Sequence, residues 1–195
     1  APVTVGGWQL AFPTLGEAGK SRPIDRLSSW TESSDPDIRY FSGTALYKAR
    51  LEAPQQGNGA VAILDLGRVA DIARVRVNGQ DAGIAWHSPF RLDVTRWLRA
   101  GTNTLEIEVA NRWVNRLIGD EAIPVGLRYQ KNGSRFTDGR LLALPDWLYR
   151  PGARRDWPRH SFSTWKHYEA DSPLLPSGLL GPVRLEWWQA VATGS

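Results

Sequence analysis

Two acidic pairs stand out among the residues able to do chemistry. Glu106 and Glu108 alternate with Leu105, Ile107 and Val109, so on a strand they share one face, about 7 Å apart by strand rise. Glycoside hydrolysis uses two carboxyl groups roughly 5–10 Å apart across a sugar, and the spacing alone admits that chemistry. Their neighbours are plain strand residues, however, which favours a solvated outer face. Asp120 and Glu121 are adjacent in an irregular stretch. They could hold Ca²⁺ together with backbone carbonyls, since a hard cation takes oxygen ligands. The competing reading is an ion pair with Arg116 or a cap on the loop.

The three histidines, His87, His160 and His167, share no metal-ligand spacing, and without cysteine a zinc site is disfavoured. His87 follows Trp86 at a strand exit. Such a pair can stack on a ring and hydrogen-bond a hydroxyl, or else Trp86 packs under a sheet edge while His87 faces water. Trp113 precedes Asn115 and Arg116. An amide that both donates and accepts, next to a planar guanidinium fork, is a vocabulary suited to sugar hydroxyls, and it serves architecture equally well. Trp147 and Trp165 are further stacking candidates, with Trp157 beside them. Arg154 and Arg155 could hold an acidic sugar or be solvated loop charges. No Gly-x-Ser-x-Gly elbow and no phosphate-cradling glycine loop occur. No residue is therefore assigned a catalytic role.

The composition bounds the setting for these groups. A chain of 195 residues is large enough for one domain with a real core. No run approaches the roughly 18 apolar residues of a membrane helix, and no targeting segment is visible at Ala1 to Val5. With no methionine even at position 1, the chain reads as processed or excised from something longer. The absence of cysteine excludes a disulfide framework and leaves the compartment open. The net charge is +4, but its arginines are scattered singly among acids, so nucleic acid is not an expected partner. Nor is a membrane. Ten tryptophans exceed what a core needs, so some are free to stack on flat apolar faces such as that of a pyranose.

The elements that must position these residues are strands. Arg74 to Trp97 organises them: Val75 and Val77 alternate with Arg74 and Arg76, Asn78-Gly79 supplies a tight turn, a second strand returns through Ile84, and Phe90, Leu92 and Val94 alternate in a third. The pattern predicts one three-stranded meander. Trp8 to Phe12, Thr44 to Leu51, Val61 to Leu66, Leu105 to Val109 and Val183 to Trp187 read as further strands. Ser161 to His167 reads as another, Ser177 to Pro182 as a tight loop, and Asp35-Pro36-Asp37 as a turn. Residues from about 112 to 160 show no sustained period and read as one long functional loop. The whole predicts an all-β fold, an antiparallel β-sandwich or jelly roll in a single domain spanning 1–195, with its first and last strands close together.

Three stretches carry a family resemblance. They are Phe41-Ser42-Gly43-Thr44-Ala45 with Tyr47; Leu64-Asp65-Leu66-Gly67 through Val77-Asn78-Gly79, Gly83, Trp86, Pro89, Asp93 and Gly101-Thr102-Asn103-Thr104-Leu105; and Asn111 to Asp120, followed by Phe162 to Trp165 and Ser177 to Val183. Together they resemble the C-terminal β-sandwich of the α-L-rhamnosidases of glycoside hydrolase family 106. More broadly they are similar to the galactose-binding-domain-like sandwich of glycoside hydrolase family 2. The resemblance implies a non-catalytic carbohydrate-binding module of a rhamnosidase-like parent enzyme, secreted or periplasmic. The expected partners are a rhamnose-containing glycan and the catalytic domain of the same parent chain, whose barrel of about 250 residues has no room here. The expected sugar contacts are Trp86, His87, Trp113, Asn115, Arg116, Trp147 and Trp165. No cofactor is required, with a structural Ca²⁺ at Asp120 and Glu121 as the one candidate. A purely structural domain packed against the barrel is the alternative.

Overall fold

A computed structural model of the chain describes residues 2–55, 59–150 and 157–189. It falls into two compact units, Ala1–Arg112 with Pro176–Ser195, and Trp113–Leu175. The first unit holds every described strand: Val3–Thr4 (β1), Trp8–Ala11 (β2), Arg22–Ile24 (β3), Thr44–Ala53 (β4), Ala60–Asp65 (β5), Arg68–Ala70 (β6), Ile72–Val77 (β7), Gln80–Ala85 (β8), Arg91–Asp93 (β9), Gly101–Ala110 (β10), Gly178–Gly181 (β11) and Arg184–Gln189 (β12). One sheet runs β3-β2-β4-β10-β7-β8, a second runs β1-β12-β5-β9, and β11 pairs with β6. Every ladder is antiparallel. The fold is the expected all-β sandwich, and β1 pairs with β12 as the first and last strands should.

Period-2 burial builds it. Along β4, Ala45, Tyr47, Ala49 and Leu51 point inward, and so do Leu105, Ile107 and Val109 of β10. They meet Leu64 of β5 and Leu185 of β12 in one buried cluster. Asn78 (φ 52°) and Gly79 (φ 78°) close the β7–β8 hairpin in the left-handed region that a two-residue turn demands. Asn78 then staples the turn to β10: its amide nitrogen donates to Trp97 O at 2.8 Å and Asn103 Oδ1 at 2.7 Å, and its oxygen accepts from Thr104 N at 3.0 Å.

Four expectations differ from the structure. The third strand of the meander, β9, leaves its sheet and joins β5 in the other one, because inward Leu92 finds its apolar partner across from Leu64. Gly178–Gly181 is a strand on β6, not a loop. Ser161 to His167 is not a strand: a single bridge, Trp165 with Arg140, is all that forms there. Asp35 does start a turn, but its carboxylate accepts from Asp37 N and so caps a short helix, α1 (Pro36–Arg39).

The centre of the first unit is a polar junction. Tyr47 is 1% exposed. Its hydroxyl accepts from Trp30 Nε1 at 2.6 Å and from Leu179 N at 3.2 Å. Phe12, Trp30 and Phe41 pack edge to face on one another with centroids 4.9–5.5 Å apart, and Trp8 meets the Tyr47 ring edge to face at 6.3 Å. Gly178 (φ 99°) must be glycine, since a Cβ there would lie 2.4 Å from Trp30 Nε1 and 2.7 Å from the Tyr47 hydroxyl. Burial pushes the Tyr47 phenol up to about 12 from 10.0, opposed by the two donors, which favour the phenolate. The folded value lies above the unfolded one, so this stabilisation is complete below pH 10 and fades as pH rises towards 12. Tyr47→Phe should cost about 1–3 kcal/mol at pH 7 by orphaning two buried donors. Urea unfolding of both proteins at stepped pH should show the gap narrowing between pH 10 and 12; a gap that stays constant would remove the junction's role.

Candidate functional site

Within the first unit, alternation puts Lys48, Arg74, Arg76, Glu106 and Glu108 on the outer face of the six-stranded sheet. The carboxylates there are all paired: Lys48 Nζ to Glu106 at 2.6 Å, Arg76 to Glu108 at 2.5 Å, and Arg74 to Asp81 at 2.7 Å. Asp81 is held below the usual carboxylate range, first by the hydrogen bond from Arg74 and next by that from Gly83 N. Glu106 and Glu108 thus sit in cross-strand ion pairs on a half-exposed face. That is the solvated outer face their neighbours implied, and neither is buried in an apolar pocket as a general acid would be.

At the end of β8 the same face turns apolar. Ile72 and Ile84 are 46% and 55% exposed, and Trp86, two residues beyond Ile84, is 67% exposed. The Trp86 indole meets the His87 imidazole edge to face at 4.6 Å. His87 Nδ1 lies 2.9 Å from Ser88 O. A carbonyl only accepts, so Nδ1 carries the proton of that bond, and in the neutral imidazole Nε2 is then the acceptor.

The second unit places the other candidates. Trp113 is 58% exposed and begins helix α2 (Val114–Glu121). Eight residues are too few to show a helical period within the irregular stretch. Asn115 and Arg116 are buried, at 2% and 7% exposure. The Asn115 amide donates to Leu175 O and accepts from Leu175 N, both at 2.8 Å, closing a two-bond ring with the backbone of that residue. Asp120 is 1% exposed and accepts from Ser161 N at 2.7 Å, Ser161 Oγ at 2.5 Å and His160 N at 3.3 Å. Glu121 takes Arg159 at 2.9 Å, while Arg159 Nε donates to Ile123 O. Both carboxylates thus face donors, and a cation needs oxygen lone pairs in their place. No group of three or more His, Asp or Glu side chains converges on a metal position among the described residues.

A narrow cleft beside Arg159 is lined by Glu121, Tyr129, Trp157, Phe162 and Trp165, with about 20 Å³ of open space, room for one water. Burial raises the Tyr129 phenol above its ordinary value, and the Glu121 charge adds to that. Trp147 stacks at 4.9 Å from Trp157 and 5.3 Å from Phe162. Its buried indole N–H has no acceptor among the described residues. Arg154 and Arg155 lie outside the described residues.

The alternation of outward residues also places side chains beyond the tryptophans and histidines above. Trp188 is 49% exposed on the second sheet, with Arg91 5.8 Å from its ring and Asp65 on Arg91 at 2.7 Å. Arg50 and Thr104 share the outer face of the first sheet.

The fold is an antiparallel β-sandwich whose outer face is ion-paired over β4, β10 and β7 and apolar near Trp86. Residues 31–149, more than half of the chain, match the family described as glycosyl hydrolase 2 galactose-binding domain-like, and the chain belongs to that family. A solved rhamnosidase from Novosphingobium sp. PP1Y is 40% identical, with a TM-score of 0.70, over 95% of this chain and 15% of that one. A Formosa agariphila protein named as a candidate beta-glucuronidase is 41% identical over 94% of this chain and 15% of its own length. A beta-D-glucuronidase from Dictyoglomus thermophilum, 20% identical with a TM-score of 0.50 over 69% of this chain and 23% of its own, shares the fold alone. The chain is thus related to a small domain of larger glycoside hydrolases, spanning about 15% of the first two.

The buried Asp120 clasp makes a structural forecast. Asp120→Ala removes the acceptor of three donors on His160 and Ser161, a loss of about 1.5–3 kcal/mol per charge-assisted bond if nothing compensates. Amide exchange over 157–168 should accelerate at least tenfold while β4 and β10 keep wild-type protection. Unchanged exchange in that segment would contradict the clasp.

Proposed function

We propose that the chain is a non-catalytic accessory module, 1–195 acting as one piece, of an exported rhamnosidase-like glycoside hydrolase. It holds a rhamnose-containing glycan near the catalytic domain of the same parent chain. The observation that carries this reading is 40% identity to a rhamnosidase across nearly the whole chain but only 15% of that enzyme. The ion-paired state of Glu106 and Glu108 supports placing the hydrolytic carboxylates elsewhere.

For the sugar contact, Trp86 and His87 are the strongest pair, offering an open indole face and a ring nitrogen able to accept a hydrogen bond from a hydroxyl. Trp113 presents exposed aromatic surface in the second unit. Trp147 and Trp165 are half-buried there, while Asn115 and Arg116 act from within as supports. A second reading rests on Ile72 and Ile84, exposed on the face that leads to Trp86. Apolar surface of this kind suits protein contact, and the module would then pack against the catalytic domain without binding sugar.

Calorimetric titration with L-rhamnose and rhamnose-containing oligosaccharides separates the two. Saturable heat that weakens at least tenfold in Trp86→Ala is the expected outcome. A folded protein that gives no heat across a broad neutral and acidic glycan panel would reject sugar binding and leave the packing role.

A further inference from the structure

The outer face of the six-stranded sheet has a second feature, at the end away from β8. A groove of about 640 Å³ opens over β2, β4 and β10, lined by Gly6, Gly7, Gln9, Lys48, Arg50, Thr104 and Glu106 among others. That volume falls in the range of small-ligand sites. Register explains the grouping: Gln9 lies opposite Lys48, Lys48 opposite Glu106, and Arg50 opposite Thr104. Gly6 and Gly7 leave one side bare, for a Cβ on either would find nothing within 4 Å.

The charges in this groove do not cancel. Lys48 is neutralised by Glu106 at 2.6 Å. Arg50 has no ion pair or hydrogen bond among the described residues, and the nearby Glu52 is engaged by the Thr102 hydroxyl. An unengaged guanidinium fork therefore faces open space, flanked by the Gln9 amide and the Thr104 hydroxyl. The fork fits a planar carboxylate in two parallel hydrogen bonds. The amide and hydroxyl fit ring hydroxyls that sit beside it. No aromatic ring lines the groove, so stacking is not its means of binding.

We infer that this groove binds an acidic sugar residue, its carboxylate on Arg50 and its hydroxyls on Gln9 and Thr104. The inference rests on the reading of the chain as a sugar-holding module and assigns it a uronate subsite separate from Trp86. Across β2 to β8 the sheet is about 19 Å wide at the usual strand spacing, so the two positions would engage different units of one glycan or different glycans.

The test titrates the chain with a tri-uronate and with its fully methyl-esterified form, which keeps the shape and removes the charge. Amide shifts in ¹⁵N-labelled protein locate the binding. The tri-uronate should bind, the ester at least tenfold more weakly, with shifts centred on Gly6, Gly7, Gln9, Arg50 and Thr104. Arg50→Gln should weaken the tri-uronate at least tenfold, and 0.5 M NaCl should weaken it as well. Gly6→Leu, which projects into open space and leaves the fold intact by circular dichroism, should abolish it. Equal binding of acid and ester, or wild-type affinity in both variants, overturns the inference. If neutral rhamnosides bind through Trp86 and the tri-uronate does not, the groove is rejected while the module reading stands. If neither class of glycan binds, both fall.

Discussion

The Tyr47 hydroxyl is the contact on which the sandwich depends most. It joins three stretches far apart in the chain: β4 through Tyr47 itself, the turn at Trp30, and β11 through Leu179. Trp30 N also donates to Ser177 O, so the Trp30 turn is tied to the approach to β11 twice. A tyrosine buried this deeply is tolerable only because its oxygen is satisfied. The arrangement fixes where β11 enters, and with it where β12 lies against β5. That constraint explains why the Gly178 position admits no side chain, and why a glycine-leucine segment with no alternation still forms a strand.

The outer face follows a different logic. Its ion pairs run across strands and are half-exposed, so each contributes little to stability. Their effect lies more in what they forbid. Paired charges over β4, β10 and β7 keep that part of the sheet from stacking on another apolar surface, while Ile72, Ile84 and Trp86 leave the β8 end able to do so. One face thus divides into an apolar end and a hydrated end, a division drawn by which outward residues are charged.

How much of this was legible depends on how local the cause was. Thr44 to Leu51 and Leu105 to Val109 alternate cleanly because one side is core and the other water, so their strands could be read directly. The Asn78-Gly79 turn was legible because its backbone conformation demands those residue types. The sheet that β9 joins was not, since Leu92 alternates the same way whichever sheet receives it. Gly178 to Gly181 read as a loop because its pairing is set by contacts at Tyr47 and Trp30, more than 130 positions away in sequence. Helix α2 escaped for the opposite reason: its buried side includes Asn115, Arg116 and Asp120, polar residues that hide the helical period.

The motif residues that signal the family serve architecture. Asn111 donates to Phe41 O and Ser177 Oγ and accepts from Gly43 N. The Phe41–Ala45 segment, Asn111 and the start of the Ser177–Val183 segment, separate in sequence, therefore meet at one amide. Asn78 and Asn103 do the same at the opposite turn, with Asn103 donating to Arg99 O and Gly101 O. An amide can satisfy a strand-end carbonyl and a strand-end N–H at once, which is what Asn78 and Asn111 do. A motif built from such positions preserves the sandwich and leaves the surface free to change. The buried amides are held by the ladders they close, whereas outward side chains such as Trp86 and Arg50 have identities that the fold does not dictate.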